Sequence, residues 1–204
     1  VEFDEVVRRR RMIRTYDPDR PVPPELVDKI VAHGLRAPSA GFSQGWGFLV
    51  LTEPADRDTF WAVTTDPDSE QPLDGTWLDR MRGAPVIIVA LSNKSVYLDR
   101  YAQADKGWTD RDEAHWPVPY WDIDTGFAAL LMHLTAVDQD LGSCFFGLPV
   151  ETIGSFRSAF GVPDEFTPIG ALTVGYRAPD KRSPSLRRGH RPIDDVVHHG
   201  RWAG

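Results

Sequence analysis

The chain has 204 residues, 41% of them apolar and 26% charged, with 23 Lys and Arg against 30 Asp and Glu and a net charge of −7. This is the make-up of one globular domain over residues 1–204, and it excludes disordered and fibrous classes. Cys144 is the only cysteine, which excludes an intrachain disulfide, and the longest apolar stretch, Gly126 to Val137, carries His133 and is too short for a membrane span.

The first residues lack the basic, apolar and small-residue order of a secretory leader, so the expectation is a cytoplasmic protein with no membrane partner. Charge is uneven: residues 1–20 hold six Arg and 177–204 hold seven Lys and Arg, while the body between them is acidic. Basic ends on an acidic body suit a local anion site. A nucleic-acid-binding surface needs a broad basic face, so no nucleic-acid partner is expected.

Glu2 to Arg11 reads as a short helix. Asp17 to Pro21 is a turn, and Pro23-Pro24-Glu25 opens a second helix with apolar positions at Leu26, Val27, Ile30, Val31 and Leu35. Gly47 to Thr52 reads as a strand and Pro54 to Val63 as a helix. Pro85 to Leu91 is the clearest strand, apolar enough to be buried on both faces. Ile123 to Leu141 is the clearest helix; its stripe of Ile123, Phe127, Leu130, Leu131, Leu134, Val137 and Leu141 is expected to face the core. Leu148 to Phe160 reads as another helix and Pro168 to Tyr176 as a third strand. Interspersed helices and apolar strands give an α+β or α/β domain. Residues 102–121 have no period but carry Trp108, Trp116, Tyr120 and Trp121. They read equally as a surface excursion whose aromatics plug back into the core or a subunit contact, and as a lid over a flat ligand.

Neither a dinucleotide-binding GxGxxG nor a GxxxxGK[ST] loop is present, and the six histidines show no metal-ligand spacing. Gly41-Phe42-Ser43-Gln44-Gly45 matches the GxSxG of serine hydrolases. That motif needs a strand before the serine and a helix after it, and here the order is reversed. Arg8 to Arg11 with Arg14, and Arg182, Arg187, Arg188 and Arg191 in the tail, read either as solvated charged faces or as guanidinium forks for one phosphorylated ligand.

Arg10-Arg11-Met12-Ile13-Arg14-Thr15-Tyr16, followed by Ala37-Pro38-Ser39-Ala40-Gly41-Phe42-Ser43-Gln44-Gly45-Trp46, resembles the opening of the nitroreductase family of flavoenzymes. The likeness continues through Ala84 to Val89, Asp140 to Gly147, Val174-Gly175-Tyr176 and Arg188-Gly189-His190-Arg191-Pro192, in the family's order. It implies a nitroreductase-like three-layer α/β/α sandwich on a mostly antiparallel sheet, and a homodimer holding FMN between its subunits. By the same resemblance Arg10 and Arg11, joined by Arg188, His190 and Arg191, meet the FMN phosphate. Arg14 lies near the N1/O2 edge of the ring, where a cation stabilises the anionic reduced flavin. Ser39 and Gln44 contact the ribityl chain and ring, and the backbone of Cys144, Phe145, Phe146 and Gly147 faces the N5/O4 edge.

The implied function is transfer of hydride from NAD(P)H through FMN to a small electron-poor aromatic, a nitro compound or quinone, with no side-chain nucleophile and no metal. Trp108, Trp116 and Trp121 are the candidates for the substrate side. Met12, Phe42, Gly45, Asp140 and His190 stand where the family has Ser, Asn, Pro, Gly and Arg. These departures leave open a non-catalytic flavin-binding or sensor protein, and other flavin chemistry on this fold, dehalogenation or flavin fragmentation, stays open as well.

Overall fold

The computed structural model describes residues 2–65, 77–179 and 183–202; Arg182 lies outside them. Among the described residues, α1 (Phe3–Arg9) and α2 (Pro24–Gly34) precede β1 (Trp46–Leu51), and α3 (Pro54–Thr64) and α4 (Trp77–Met81) lead to β2 (Val86–Asn93). α5 (Lys94–Tyr101) and α6 (Tyr120–Asp138) lead to β3 (Gly142–Phe146), and α7 (Ile153–Phe160) to β4 (Phe166–Gly175). The strands pair in the order β1-β2-β4-β3, each pair antiparallel. This is the α+β sandwich expected from the sequence.

The layers follow from strand alternation, because successive side chains of a strand point to opposite faces. Every residue of β2 is buried. Val86 and Ile88 join Leu172 and Val174 of β4 against Ile30 of α2 and Met132 and Ala136 of α6. Ile87, Val89 and Leu91 join Ala171 against Phe60 and Trp61 of α3 and Phe156 of α7. On that second face the Phe60 and Trp61 rings meet edge to face at 5.1 Å, and Trp61 stacks on Phe146 at 5.7 Å. Each fully buried ring of this kind contributes about 1.5–3 kcal/mol by leaving water. α2 and α6 cross closely: a Cβ on Gly34 would lie 2.3 Å from Met132 Cε.

α6 begins three residues earlier than its apolar pattern predicts and ends at Asp138, and its faces are exchanged. Asp124, Thr125, Ala128, Ala129, Met132, His133, Thr135 and Ala136 are buried, while Phe127 and Leu130 are 44% and 48% exposed. Small side chains let the helix lie close to the sheet and α2, which leaves the large apolar stripe outside. Only Val137 and Leu141, beyond the stripe's middle, reach the core. Leu148–Phe160 is not one helix: a short 3-10 turn at Val150–Thr152 precedes α7. α4, α5 and β3 are additions to the sequence reading. Among the described residues no helix is long and apolar enough to cross a membrane.

Candidate functional site

The N-terminal cations lie on a strap that crosses the sheet's β3 edge. α1 ends at Arg9, and the strap is pinned where Ile13 N donates to Ser143 O at 2.9 Å, with Met12 bridged to Ser143. Tyr16 is buried, its hydroxyl donating to Ile13 O at 2.6 Å and sharing a 2.9 Å bond with Thr173 Oγ1. With Ile13 and Tyr16 turned inward, Arg10 and Arg14 are half-buried and Arg11 is exposed. Asp140 adopts the left-handed backbone (φ 59°) that a glycine accepts at no steric cost. Its carboxylate pairs with Arg9, whose guanidinium holds the Asp140 carboxyl below the usual range. This departure from the family pattern thus clasps α1 to the end of α6.

Beneath the strap, His133 of α6 shares a hydrogen bond between Nδ1 and Ser143 Oγ. It is 2% exposed, and among the described residues its Nε2 has no hydrogen-bond partner. Burial, and then the charge of Arg10, lower its pKa to about 4, so the ring is neutral at pH 7.

Nine residues earlier on the same helix, buried Asp124 holds a second element. Its Oδ2 accepts from Ala40 N at 2.8 Å and from the Tyr97 hydroxyl at 2.9 Å. Desolvation and that carboxylate push the Tyr97 pKa far up. Ala40 opens a tight turn with left-handed backbone at Gly41, Phe42 and Gln44. Ser39 Oγ accepts from Gln44 N at 3.0 Å, and Arg100 Nε donates to Gly41 O at 2.9 Å. The turn presents the Gln44 side chain outward and half-buries Ser39. The Ser43 hydroxyl donates to Ala40 O at 2.6 Å, and the turn feeds directly into β1, as the reversed order of elements predicts.

β3 leaves the sheet at the same end at which β1 enters it. Cys144 is buried in the second cluster, and Phe145 and Phe146 pack on opposite faces of the sheet. Gly147 is exposed, with nothing within 4 Å of where its Cβ would stand, so its backbone is open to a ligand.

Residues 102–121 fold back onto α5. Trp116 is the hub: its ring lies 4.5 Å from Tyr101, 5.4 Å from Trp108, and 6.0 Å from both Tyr97 and Trp121. Its Nε1 is buried and has no hydrogen-bond partner among the described residues. Trp108 also stacks on His115 at 4.8 Å. Trp121 lines a cleft of about 470 Å³ with Ser92, Lys94, Asp122 and Thr167 at the same end of the sheet. Tyr101 carries this cluster to the Ala40–Gln44 turn, its ring 2.7 Å from where a Gly41 Cβ would stand.

The structure therefore brings the Arg10–Arg14 strap to β3, and the Ser39–Gln44 turn to the aromatic segment. The start of the tail meets the end of the strap, where Ala178 N donates to Thr15 O at 3.1 Å. Arg188, His190 and Arg191 are exposed, Arg191 donates to Asp195 O at 3.0 Å, and among the described residues no hydrogen bond or ion pair joins these three to the strap. Asp124, His133, Tyr97 and Arg100 were not singled out from the sequence. An acid and a histidine inside the otherwise apolar α6 were the available signal for the first two.

The Nitroreductase family profile matches residues 7–176. A Bacillus subtilis (strain 168) protein named NAD(P)H nitroreductase YdgI is 35% identical, over 96% of each chain. Among solved structures, a nitroreductase family protein of Clostridium difficile 630 gives a TM-score of 0.72 at 22% identity, over 99% of this chain and 100% of that one. A nitroreductase of Desulfovibrio desulfuricans in complex with FMN gives 0.72 at 21% identity, over 100% and 99%. The profile match runs from α1 to the end of β4 and so takes in the strap, the turn and the exit of β3 together. The chain belongs to the nitroreductase family.

Proposed function

We propose that the protein is an FMN-dependent oxidoreductase that takes electrons from NAD(P)H and reduces a small electron-poor aromatic, a nitro compound or a quinone. The observation that carries this reading is the inward face of α6. Asp124 fixes the Ser39–Gln44 turn, and His133, nine residues or about 13 Å further along the helix, fixes Ser143 and with it the Arg10–Arg14 strap. One rigid helix thus spaces a cationic strap from a neutral polar turn.

The residues present fit a flavin mononucleotide. The strap carries fork-shaped cations suited to a phosphate, the turn offers an exposed Gln44 amide, and Gly147 leaves open room beside its backbone. Arg10 and Arg11 hold the phosphate, and Arg14 sets a positive charge at the N1/O2 edge of the ring. Ser39 and Gln44 orient the ribityl chain and ring, and the backbone from Cys144 through Phe145 and Phe146 to Gly147 borders the N5/O4 edge. When bound, FMN supplies hydride acceptance from the nicotinamide and electron delivery to the second substrate. Trp108, Trp116 and Trp121 wall the substrate side and keep water from it.

A homodimer completes this reading. Phe127 and Leu130 on α6, and Phe3 and Val7 on α1, form an exposed apolar face. It continues into a groove of about 410 Å³ lined by Phe3, Leu131 and Leu134. A second copy covers this face, and Arg188, His190 and Arg191 of the exposed tail reach the phosphate site of the assembled pair.

The test is the visible spectrum of the purified protein before and after heat release of its chromophore. A yellow protein that releases about one FMN per chain and is bleached by NADH or NADPH under nitrogen supports the reading. A protein that holds FMN yet oxidises NAD(P)H no faster than free flavin is a binding module, and a colourless protein that ignores added FMN overturns the assignment.

A further inference from the structure

The turn that carries Ser39 and Gln44 holds two non-glycine residues in left-handed backbone, Gln44 itself and the bulkier, apolar Phe42. Phe42 has φ 55°, in the left-handed region that bulky side chains avoid, and is 74% exposed. Neither condition favours folding: the backbone is strained and an apolar ring stands in water. Such strain persists only where the surroundings over-determine it, and here they do. Phe42 N donates to Ser39 O at 2.9 Å, the residue before it is clamped by Arg100 Nε, and the residue after it bonds back to Ala40 O at 2.6 Å. Asp124 anchors the whole turn from the core through Ala40 N. The bonds fix the backbone and leave the ring free.

The turn that presents the ring lies against an aromatic cluster. Gly41, next to Phe42, lies against Tyr101, whose ring contacts Trp108 at 4.9 Å and Trp116 at 4.5 Å. The turn itself carries no charge, since Ser39, Ala40, Gly41, Ser43 and Gln44 are all neutral. A phenyl ring presented on a rigid, uncharged turn next to an aromatic wall suits a flat, neutral, electron-poor ring in offset stacking. A phosphorylated or carboxylated substrate gains nothing from it.

We propose that Phe42 stacks on the electron-accepting substrate and selects neutral aromatic acceptors. The proposal rests on the oxidoreductase reading above and names the side chain that sets its acceptor preference. Asparagine tolerates left-handed backbone far better than phenylalanine, so Phe42→Asn relieves strain while removing the ring, and Phe42→Tyr keeps the ring.

The experiment uses the FMN-loaded protein with p-benzoquinone as aromatic acceptor and ferricyanide as a non-aromatic one. Phe42→Asn is expected to raise KM for p-benzoquinone about fivefold, the equivalent of one aromatic stack. KM for ferricyanide, the FMN dissociation constant and the association state should hold, and Tm should stay level or rise. Phe42→Tyr should restore the quinone KM. An unchanged quinone KM in Phe42→Asn, an equal rise for ferricyanide, or a change in association state overturns the proposal and makes Phe42 a structural or subunit contact. A wild-type protein that binds no FMN and turns over no NAD(P)H overturns the functional reading and this proposal together. An active wild type with an indifferent Phe42→Asn overturns only the proposal.

Discussion

His133 is neutral when folded because burial, and then the nearby Arg10 charge, disfavour its proton and lower its pKa to about 4, whereas in the unfolded chain it titrates near 6.5. Between those two values the unfolded state binds the extra proton. The stabilisation is therefore fully present above about pH 6.5 and is lost as pH falls toward 4, to a total of about 3 kcal/mol. Urea unfolding at pH 7, 5.5 and 4 should show this slope, and His133→Gln, which can keep a hydrogen bond to Ser143, should flatten it. Arg10 bears on His133 and, on the proposed reading, on the FMN phosphate. Arg10→Ala should weaken FMN binding by about 1.5–3 kcal/mol, as expected for one charge-assisted hydrogen bond, read by flavin fluorescence titration. It should also raise the His133 pKa, read from the imidazole resonances of the apoprotein.

At the scale of elements, the Ser39–Gln44 turn depends on one carboxylate. Asp124→Ala removes the acceptor from Ala40 N and from the Tyr97 hydroxyl at once, leaving both donors in a dry region. A loss of about 2–3 kcal/mol in unfolding free energy is expected, with faster amide exchange at Ala40 to Gln44 than in the rest of the sheet.

The elements were unequally legible in the sequence. β2 announced itself because a strand covered on both faces is apolar without a break, here from Val86 to Leu91, and Pro24 with Glu25 marked the start of α2. α6 was legible as a helix but not as to its inner face: periodicity finds an apolar stripe without saying whether sheet or subunit covers it. Here Ala128 and Ala129 pack inward while Phe127 and Leu130 point out. β3 hid inside a motif, since five residues with two glycine-flanked ends carry too little alternation to declare a strand. The strap, the turn and the β3 exit were readable through the family resemblance. The aromatic segment was not, because Trp108 and Trp116 take their places from contacts with α5 rather than from any repeat of their own.

For the whole molecule, the outward face of α6 makes a prediction about assembly. Leu130→Glu places a charge in the apolar patch without disturbing the core, as Leu130 is 48% exposed. Sedimentation should show a dimer for the parent and a monomer for the variant, and the variant should lose FMN on gel filtration while keeping its far-ultraviolet circular dichroism. Stability of the parent should rise with protein concentration, as expected when folding and association are linked.

The sheet order carries a consequence for how the chain is made. β2 is the most apolar strand, and its central partner is β4, so Val86 to Asn93 cannot complete their ladder until Phe166 to Val174 have been synthesised. At about 5–20 residues per second the interval is on the order of 4–16 s. Through that time the nascent chain offers, among the described strands, only β1 as a mate for β2, an antiparallel pair that is marginal in water by itself. Translation speed between these strands, and whatever shields Val86 to Leu91 at the ribosome exit, therefore govern how much of the polypeptide reaches its native state rather than an aggregate.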